Sequence, residues 1–459
     1  MTDTIAAVAT GNCVSAIGII RISGNNALTA ADSIFRTSSG IRLENAENRR
    51  VYYGEIIDTR IDDFRLIDLC LCIVSRGSGS YTGEDTVEFH CHGSPVVLFE
   101  ILHMLFDHGV RPALPGEFTK RAFLNGKMDL TQAEAVIDLI ESETPGAAMN
   151  AAGQLHGFFG SKMDTVYNKL VDIMAHFHAV IDYPDEDIDD FKVQNYLTTL
   201  NDIKTELDRM LDTHERGTIL RNGLPTAIIG RPNTGKSSLL NALLGYERAI
   251  VTDIAGTTRD TIEEKLLIGK VLLRLIDTAG LRKTNDSIEK LGVERTLATL
   301  SGAGLVILVL DGSEPLKNED FDALRSIPPD VPKIAVVNKS DLPTALTASE
   351  LGELGIKCCR VSALSGEGLN YLDEEIQKMF PDFDCSPSGE FITNVRQIDA
   401  LKRASDSIGL ALSALPSSVT PDAVLTDIEA ALTAIGEITG KTMREKIISR
   451  IFERFCVGK

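Results

Sequence analysis

The chain has 459 residues, of which 43% are hydrophobic and 24% are charged, and its formal net charge at pH 7 is -20. This length favours two to four domains with packed cores, and no stretch approaches the roughly 20 consecutive apolar residues of a membrane-spanning helix. The acidic balance excludes a broad basic surface, so any contact with a nucleic acid is local or depends on a partner.

The first part of the chain, residues 1–120, predicts a small α+β domain. Short β-like runs such as Ala16–Ile22 and Leu69–Val74 are separated by Gly, Ser and Asn. The N-terminal residues show neither the basic nor the apolar region of a signal peptide. Together with eight cysteines that form no CxxC pair, this pattern favours a cytoplasmic protein with free thiols.

Residues 121–221 and 381–459 have helical periodicity. Asp129 and Gln132 make a helix-start box, and apolar residues recur at helical spacing after it. An acidic run at 182–187 predicts a turn and a new helix start. Periodicity returns between Ile398 and Leu412. We therefore predict one helical domain in two parts, with a different domain inserted between them.

The inserted region, residues 222–380, alternates strands and helices. Its apolar runs suit strands that are buried on both faces of a parallel sheet. These runs are Thr226–Ile229, Val271–Ile276, Leu305–Leu310 and Ile334–Val337. The predicted fold class is therefore multidomain α/β.

A phosphate-binding motif, GxxxxGKS, runs from Gly230 to Ser237, between a predicted strand and a predicted helix. Its glycines let backbone N–H groups turn inward around phosphates. Lys236 reaches the β- and γ-phosphates, and the Ser237 hydroxyl is a hard ligand for Mg²⁺. A chance glycine-rich turn is the alternative, which the following motifs oppose. The candidate nucleotide contacts here are Asn233, Thr234, Gly235, Lys236, Ser237 and Ser238.

Three further motifs follow in order. Asp277 can hold Mg²⁺ through water, and the Gly280 N–H can meet the γ-phosphate. Asp341 can accept the N1–H and the exocyclic amine of guanine, which selects GTP over ATP. The backbone of a Ser-Ala-Leu segment can meet the guanine O6. The candidate contacts are Asp277, Thr278, Ala279 and Gly280, then Asn338, Lys339 and Asp341, then Ser362, Ala363 and Leu364.

A polar loop, residues 252–260, lies between the first two motifs and suits a switch segment. Thr258 would ligate Mg²⁺ when the γ-phosphate is present. An ordinary surface loop is the alternative, and the position of the loop in the motif order weakens it. The candidate GTP contacts are Thr252, Asp253, Ile254, Ala255, Gly256, Thr257 and Thr258.

Leu281 stands where Ras-like proteins carry a water-orienting glutamine. A leucine cannot orient water, so another group must do so. Asp286 and Glu289 are acidic candidates. Arg259 and Arg282 are available as positive charges, and a bound cation could supply that charge instead.

The whole chain resembles the bacterial tRNA-modification GTPase family MnmE, also called TrmE. The G-domain motifs fit, including Pro232-Asn233 in the phosphate loop. The matching flanking signatures are Asp3–Ala7, Gly18–Gly24, Tyr81–Asp85, Pro115–Asn125 and Cys456–Lys459. One segment, Gly11–Ala16, departs from the Gly/Arg-rich loop that is usual in the family.

The resemblance implies a homodimer with an N-terminal folate-binding domain (1–120), a helical domain (121–221 and 381–459) and an inserted Ras-like P-loop G domain (222–380). With the flavoprotein MnmG, the family installs a 5-carboxymethylaminomethyl or aminomethyl-type group on the wobble uridine of certain tRNAs. A tetrahydrofolate derivative supplies the one-carbon unit. By motif position the folate contacts are Arg21, Glu88, Lys127 and Lys459. The basic residues would pair with the folate carboxylates, and Glu88 would accept pterin N–H donors.

The resemblance also implies that a K⁺ ion supplies the missing positive charge. Its ligands would be Asn233, Thr252, Ile254 and Thr257. Glu289 would orient the hydrolytic water through a second water, and the G domains would pair across the dimer. Cys456 resembles the reactive terminal cysteine of the family, with a merely exposed thiol as the alternative.

Three functions compete at this point. The first is a tRNA-modifying GTP hydrolase. The second is a ribosome-assembly GTPase with RNA-binding appendages, which the acidic composition and the terminal CxGK motif oppose. The third is a regulatory switch without chemistry of its own.

The His90-Cys91-His92 triplet could indicate a metal site. The lack of a distant ligand pair opposes this interpretation, and alternation along a strand explains the triplet better.

Overall fold

The structure is a computed structural model that describes residues 3–11, 13–60, 65–182, 193–246, 264–276, 300, 302–380, 389–415 and 421–458. The chain forms two compact units. Unit 1 comprises Met1–Ile137, Leu155–Thr199 and Asp406–Lys459, and unit 2 comprises Asp138–Gln154 and Leu200–Ser405. The predicted division into four consecutive segments stays a prediction.

The strands and helices of the described residues are numbered in chain order. The strands are β1 (Ile5–Val8), β2 (Ser15–Ser23), β3 (Phe35–Thr37), β4 (Val51–Asp58), β5 (Arg65–Ser75), β6 (Thr86–Gly93), β7 (Arg111–Pro112), β8 (Leu224–Ile229), β9 (Glu264–Ile268), β10 (Val271–Leu275), β11 (Leu305–Asp311), β12 (Lys333–Asn338) and β13 (Lys357–Arg360). The helices are α1 (Ala27–Ile34), α2 (Pro95–Asp107), α3 (Glu117–Leu124), α4 (Leu130–Ile140), α5 (Pro145–Leu155), α6 (Phe158–Asp182), α7 (Val193–Asp212), α8 (His214–Asn222), α9 (Lys236–Tyr246), α10 (Asn318–Arg325), α11 (Ala348–Glu353), α12 (Leu369–Met379), α13 (Val395–Ala414), α14 (Pro421–Thr439) and α15 (Glu445–Phe452).

Unit 1 contains a seven-stranded sheet in the order β3-β4-β5-β6-β2-β1-β7. Its neighbouring strands are antiparallel except for β1 and β7, which are parallel. Alternate residues of β4, β5 and β6 are buried under α1 and α2, as expected for a sheet with one covered face. The two predicted β-runs of this region lie in β2 and β5 and are confirmed.

The helix α4 begins where the sequence predicts a helix start. The Gln132 N–H donates to Asp129 Oδ1 at 2.8 Å, and the Gln132 side chain accepts from the Asp129 N–H at 3.0 Å. This reciprocal pair satisfies two free N–H groups at the start of α4, so the predicted helix-start box is confirmed. Elsewhere in the unit, α6 and α14 pack along each other.

Unit 2 contains a six-stranded sheet in the order β13-β12-β11-β8-β10-β9. All pairs are parallel except the β9–β10 hairpin. Every residue of the central strand β11 is buried, because helices cover both faces. The four predicted apolar strands are β8, β10, β11 and β12, and the predicted inserted α/β fold is confirmed.

The predicted helix between Ile398 and Leu412 is confirmed as part of α13. The acidic run at 182–187 lies, after its first residue, outside the described residues. In the described part of the chain, no helix has both the length and the apolar character needed to cross a membrane.

Candidate functional site

The loop between β8 and α9 in unit 2 is built around two glycines. Gly230 has φ +147°, and a Cβ there would lie 2.3 Å from the Val309 carbonyl oxygen. Gly235 has φ +91°, and its Cβ would lie 2.2 Å from Asn338 Nδ2. No larger residue fits either position. The glycines therefore bring the loop against the ends of β11 and β12, at the N-terminus of α9, where the helix dipole favours an anion.

Lys236 spans this loop from the first turn of α9. Its Nζ donates to the carbonyl oxygens of Gly230 at 2.8 Å and Arg231 at 2.6 Å. Burial lowers the pKa of Lys236 below its ordinary value. Among the described residues no carboxylate pairs with this ammonium group. A desolvated cation with only carbonyl partners is well suited to stabilise a phosphate.

Asn338, at the end of β12, connects the phosphate loop with the loop after β13. Its Nδ2 donates to the Thr234 carbonyl at 2.9 Å, and its Oδ1 accepts from the Ala363 N–H at 3.0 Å. The Ser362 hydroxyl donates to Asp341 Oδ1 at 2.6 Å. The three described motifs of unit 2 therefore meet at one edge of the sheet, the edge where the parallel strands end and where ligands bind in open α/β sheets.

Two ion pairs support this edge, and neither was predicted from the sequence. Lys339 Nζ lies 2.5 Å from Asp311 Oδ2, and the buried Arg231 Nε lies 2.7 Å from Asp320 Oδ1. Burial raises the pKa of Asp311, but the bonds from Lys339 and Ser313 outweigh it and leave a lowered pKa. The position of Asp311 at the end of a wholly apolar strand was the available sequence signal.

A second cluster of polar residues lies on the open face of the unit 1 sheet. Arg21 on β2 and Glu88 on β6 are paired in register, and Arg21 Nε donates to Glu88 Oε1 at 2.6 Å. The Arg21 guanidinium lies 5.2 Å from the centre of the Tyr81 ring and 5.6 Å from that of Phe118. These two aromatic contacts hold the pair in place. The sequence pattern assigned no individual role to Tyr81 or Phe118.

Lys127 and Cys456 lie on two other segments of unit 1. Lys127 is exposed, and its Nζ donates to the Ser78 carbonyl at 2.7 Å. A Cβ on Gly83 would lie 3.4 Å from Lys127 Cγ, so Lys127 borders the loop that carries Tyr81. Cys456 is exposed, and its carbonyl accepts from the Gly116 N–H at 3.2 Å. Lys459 lies outside the described residues.

The His90-Cys91-His92 triplet alternates across β6, as predicted. Cys91 is buried in the core, and the two histidines lie on the opposite face. His92 Nδ1 lies 2.7 Å from the Asp68 carboxylate, and His90 Nε2 lies 3.6 Å from Glu88 Oε2. Within the described residues, no group of three or more His, Cys, Asp or Glu side chains could hold a metal ion.

Comparison with known proteins identifies the family. The model of the MnmE helical domain matches residues 130–456, and that of the GTP-binding protein TrmE N-terminus matches residues 4–127. The chain is 42% identical to the tRNA modification GTPase MnmE of Clostridioides difficile (strain 630), over 100% of this chain and 99% of that protein. The chain belongs to the MnmE family. The MnmE protein of Natranaerobius thermophilus is 41% identical, over 100% of this chain and 99% of that protein.

The predicted MnmE fold class is confirmed: an N-terminal α+β domain, a helical domain and a G domain. Among solved structures, the G domain of the T. maritima FeoB iron transporter is 28% identical over 33% of this chain and 96% of that chain, with a TM-score of 0.25.

The structure describes some of the residues predicted for the GTP site and not others. It brings together the phosphate loop, Asn338–Asp341 and Ser362–Leu364. The switch loop, the Asp277–Gly280 motif and Glu289 lie outside the described residues. The individual roles of all these residues stay predictions.

Proposed function

We propose that this chain, a GTPase of the MnmE family of tRNA modification GTPases, works with the flavoprotein MnmG on the wobble uridine of certain tRNAs. The pair would install a 5-carboxymethylaminomethyl or aminomethyl-type group at C5. The observation that carries the proposal is similarity along the full chain to tRNA modification GTPases. The same chain therefore holds the nucleotide loops of unit 2 and the Arg21–Glu88 pair of unit 1.

The nucleotide part of the proposal is supported by the loops of unit 2. GTP would lie along the phosphate loop, with Lys236 moving its donated hydrogen bonds from two carbonyls to phosphate oxygens. Mg²⁺ would be held by Ser237 and Thr258 and would neutralise charge between the phosphates. Asp341 has one carboxylate oxygen engaged by Ser362, and its other oxygen is available to guanine N–H groups.

The position of Asn233 in the phosphate loop supports the proposed K⁺ site. This residue has φ +64°, a conformation that Asn tolerates better than most side chains. Asn233 is exposed in the turn before α9, where its oxygen is free to take part in cation binding with Thr252, Ile254 and Thr257. The cation would supply the positive charge that other GTPases obtain from an arginine.

A tetrahydrofolate derivative fits the open face of unit 1. The Glu88 carboxylate can accept N–H donors of a pterin. Next to it, His90 Nε2 is buried and has no hydrogen-bond partner in the described structure. The His90 side chain lines a pocket of about 150 Å³. Because Arg21 is bonded to Glu88, a pterin bound at Glu88 would lie beside Arg21. We therefore revise the predicted role of Arg21 from carboxylate pairing to the pterin end, and leave the folate carboxylates to Lys127 and Lys459.

The open face of the unit 1 sheet also has features of a homodimer interface. Two cross-strand rows run over four strands, Tyr53-Leu71-His90-Ile19 and Val51-Ile73-Glu88-Arg21, and the pairs Glu55-Leu69 and His92-Ile17 lie beside them. Several of the apolar side chains in these rows are exposed, namely Ile17, Val51, Tyr53, Leu69 and Leu71. An exposed apolar surface of this kind is typical of a protein interface. A second copy of the chain would cover it and would border the folate site.

The proposed function is tested by nucleoside analysis of tRNA. A strain that lacks this gene should lose the modified wobble uridines, and a plasmid copy of the gene should restore them. Mass spectrometry of digested tRNA gives the readout. Unchanged wobble uridines in the deletion strain would overturn the proposal, and a ribosome-assembly defect in that strain would then favour the ribosome-assembly alternative.

A further inference from the structure

The C-terminal end of unit 1 differs in charge from the rest of the chain. Residues 441–459 contain six lysine or arginine residues and two glutamates, within a chain whose formal net charge is -20. Local positive charge in a strongly acidic protein attracts an anionic partner to one place and repels it elsewhere. The charge therefore marks a defined surface.

The helix that carries this charge is firmly anchored. Ile448 and Phe452 on α15, and Phe455 after it, are buried in a cluster with Leu130 and Ala133 of α4. A Cβ on Gly116 would lie 2.6 Å from the Phe452 carbonyl oxygen, which shows how closely α15 approaches the start of α3. The apolar side of α15 is therefore used for packing, and the opposite side faces solvent.

Four cations lie on the solvent side. Arg444, Lys446, Arg450 and Arg454 are all exposed. None of them forms an ion pair with a carboxylate among the described side chains. Other arginines of unit 1 differ in this respect, since Arg60 is paired with Asp58 and Arg111 with Asp3. We call these four residues the basic C-terminal surface.

The spacing of the cations suits a phosphate backbone. Lys446 and Arg450 are four residues apart on α15, which places them about 6 Å apart along the helix axis. Arg454 extends the row into the turn that follows. Lys120 of α3 lies beside the row, because its Nζ donates to the Ser449 hydroxyl at 2.9 Å. Successive phosphates of one RNA strand could therefore each meet a different cation.

The basic C-terminal surface is directly connected to the Arg21 region. After Arg454 the chain passes the exposed Cys456, and a Cβ on Gly458 would lie 2.2 Å from the Val8 carbonyl oxygen. The neighbouring residue of β1, Ala7, is paired in register with Arg21. A strand bound along α15 therefore lies only a short chain segment from the face where Arg21 and Glu88 lie.

We propose that the basic C-terminal surface binds the phosphate backbone of the RNA substrate and so directs the reacting base toward the Arg21–Glu88 face. This inference rests on the proposed function, which supplies tRNA as the substrate. Backbone contacts of this kind position the RNA and carry little sequence information. A local basic surface also explains how an acidic chain can bind a polyanion.

The test compares two triple variants of the full-length protein. Lys446→Gln, Arg450→Gln and Arg454→Gln together remove the row of cations. Arg50→Gln, Lys169→Gln and Arg325→Gln remove the same charge from exposed positions elsewhere. Binding to a fluorescein-labelled unmodified tRNA with a wobble uridine is measured by anisotropy over a series of KCl concentrations, and GTP hydrolysis is measured for each variant.

The first triple variant should bind tRNA roughly tenfold to a hundredfold more weakly than wild type. The slope of log affinity against log salt should fall by roughly 2, because each phosphate contact contributes about 0.7 to 0.9. The control variant should bind as wild type, and both should hydrolyse GTP normally. If the first variant keeps wild-type affinity and slope, or if wild type does not bind tRNA, this surface is not the RNA site. Nucleoside analysis of the deletion strain decides the proposed function separately.

Discussion

The Ser362 hydroxyl and the Asp341 carboxylate are joined by a 2.6 Å hydrogen bond. The bond connects the loop after β12 with the loop after β13, and Asn338 links the latter loop to the phosphate loop. The base end and the phosphate end of the candidate GTP site are therefore parts of one hydrogen-bonded network. Because Asn338, and not Asp341, bonds the phosphate loop directly, a change at Asp341 should alter base recognition and leave the phosphate loop intact.

We expect Asp341→Asn to weaken GTP binding roughly a hundredfold, which corresponds to about 3 kcal/mol. The amide presents an NH₂ group to a guanine donor, so one hydrogen bond is lost and a buried donor is left unpaired. Xanthosine triphosphate, which has a carbonyl oxygen in place of the guanine amine, should bind the variant better than GTP does. Titration with fluorescent nucleotides measures both affinities. Asp322→Asn, on the exposed side of α10, is the matched control, and an unaltered preference for GTP would contradict base reading by Asp341.

K⁺ should accelerate GTP hydrolysis far more than Na⁺, because the proposed ligand set suits the larger ion. The informative variant is Asn233→Gly. This substitution removes the side-chain oxygen, and glycine adopts φ +64° without strain. Alanine at the same position would add backbone strain of about 1 kcal/mol. Hydrolysis by Asn233→Gly should lose its K⁺ stimulation and retain the rate seen in Na⁺. Equal rates in the two salts for the wild-type protein would remove Asn233 from the cation site.

Glu289→Ala should lose hydrolysis by roughly a hundredfold or more and keep its affinity for GTP, because the carboxylate is proposed to orient the attacking water. Asp286→Ala is the matched control, since Asp286 is the other acidic candidate close to Leu281. Single-turnover hydrolysis and nucleotide titration separate the two effects. If only the Asp286 variant is impaired, the assignment to Glu289 is wrong.

The regular elements and the phosphate loop could be predicted from the sequence because their signals are local. Every residue of β11 is apolar except the last. The helix-start signal formed by Asp129 and Gln132 spans only four consecutive residues. Gly230 and Gly235 meet steric demands that the GxxxxGKS spacing already encodes.

The supporting contacts could not be predicted in this way. Arg21 and Glu88 are 67 positions apart in sequence, and Arg231 and Asp320 are 89 apart. Such pairs depend on which strands, loops and helices become neighbours, and a single sequence does not carry that information. For the same reason, the sequence identified Tyr81 only as part of the Tyr81–Asp85 signature and assigned it no role of its own, although its ring lies against Arg21.

Arg121→Met should destabilise unit 1 at neutral pH by roughly 3 kcal/mol. Arg121 is 1% exposed and bonds to Asp3, Glu84 and Glu117, so its removal leaves carboxylates without their cation. Burial raises the pKa of Glu117, but bonds from Arg111, the Leu114 N–H and Arg121 outweigh it and leave a lowered pKa. A carboxylate with a lowered pKa stabilises the fold above its ordinary pKa and loses this contribution as pH falls through its folded value.

The difference between wild type and Arg121→Met should therefore be largest near pH 7 and shrink as the pH falls below the ordinary pKa of 4.5 for a glutamate. Hydrogen-exchange mass spectrometry of peptides from β1 and α3 reports this region separately from unit 2. Arg50→Met, which removes an exposed ion pair with Glu47, should have little effect at either pH. An effect of Arg121→Met that is independent of pH would show that lost packing, not charge, is responsible.

Leu71→Glu should convert the proposed homodimer into a folded monomer. Leu71 is 43% exposed and lies in register with Tyr53 on β4 and His90 on β6, at the centre of the open sheet face. A carboxylate there would be desolvated in an interface and should weaken dimerisation at least a hundredfold, by about 3 kcal/mol or more. Sedimentation equilibrium measures the dissociation constant. Leu410→Glu on α13, which is 61% exposed, is the control and should remain a dimer. A wild-type monomer at micromolar concentration would refute the homodimer, and a dimeric Leu71→Glu would place the interface on another face.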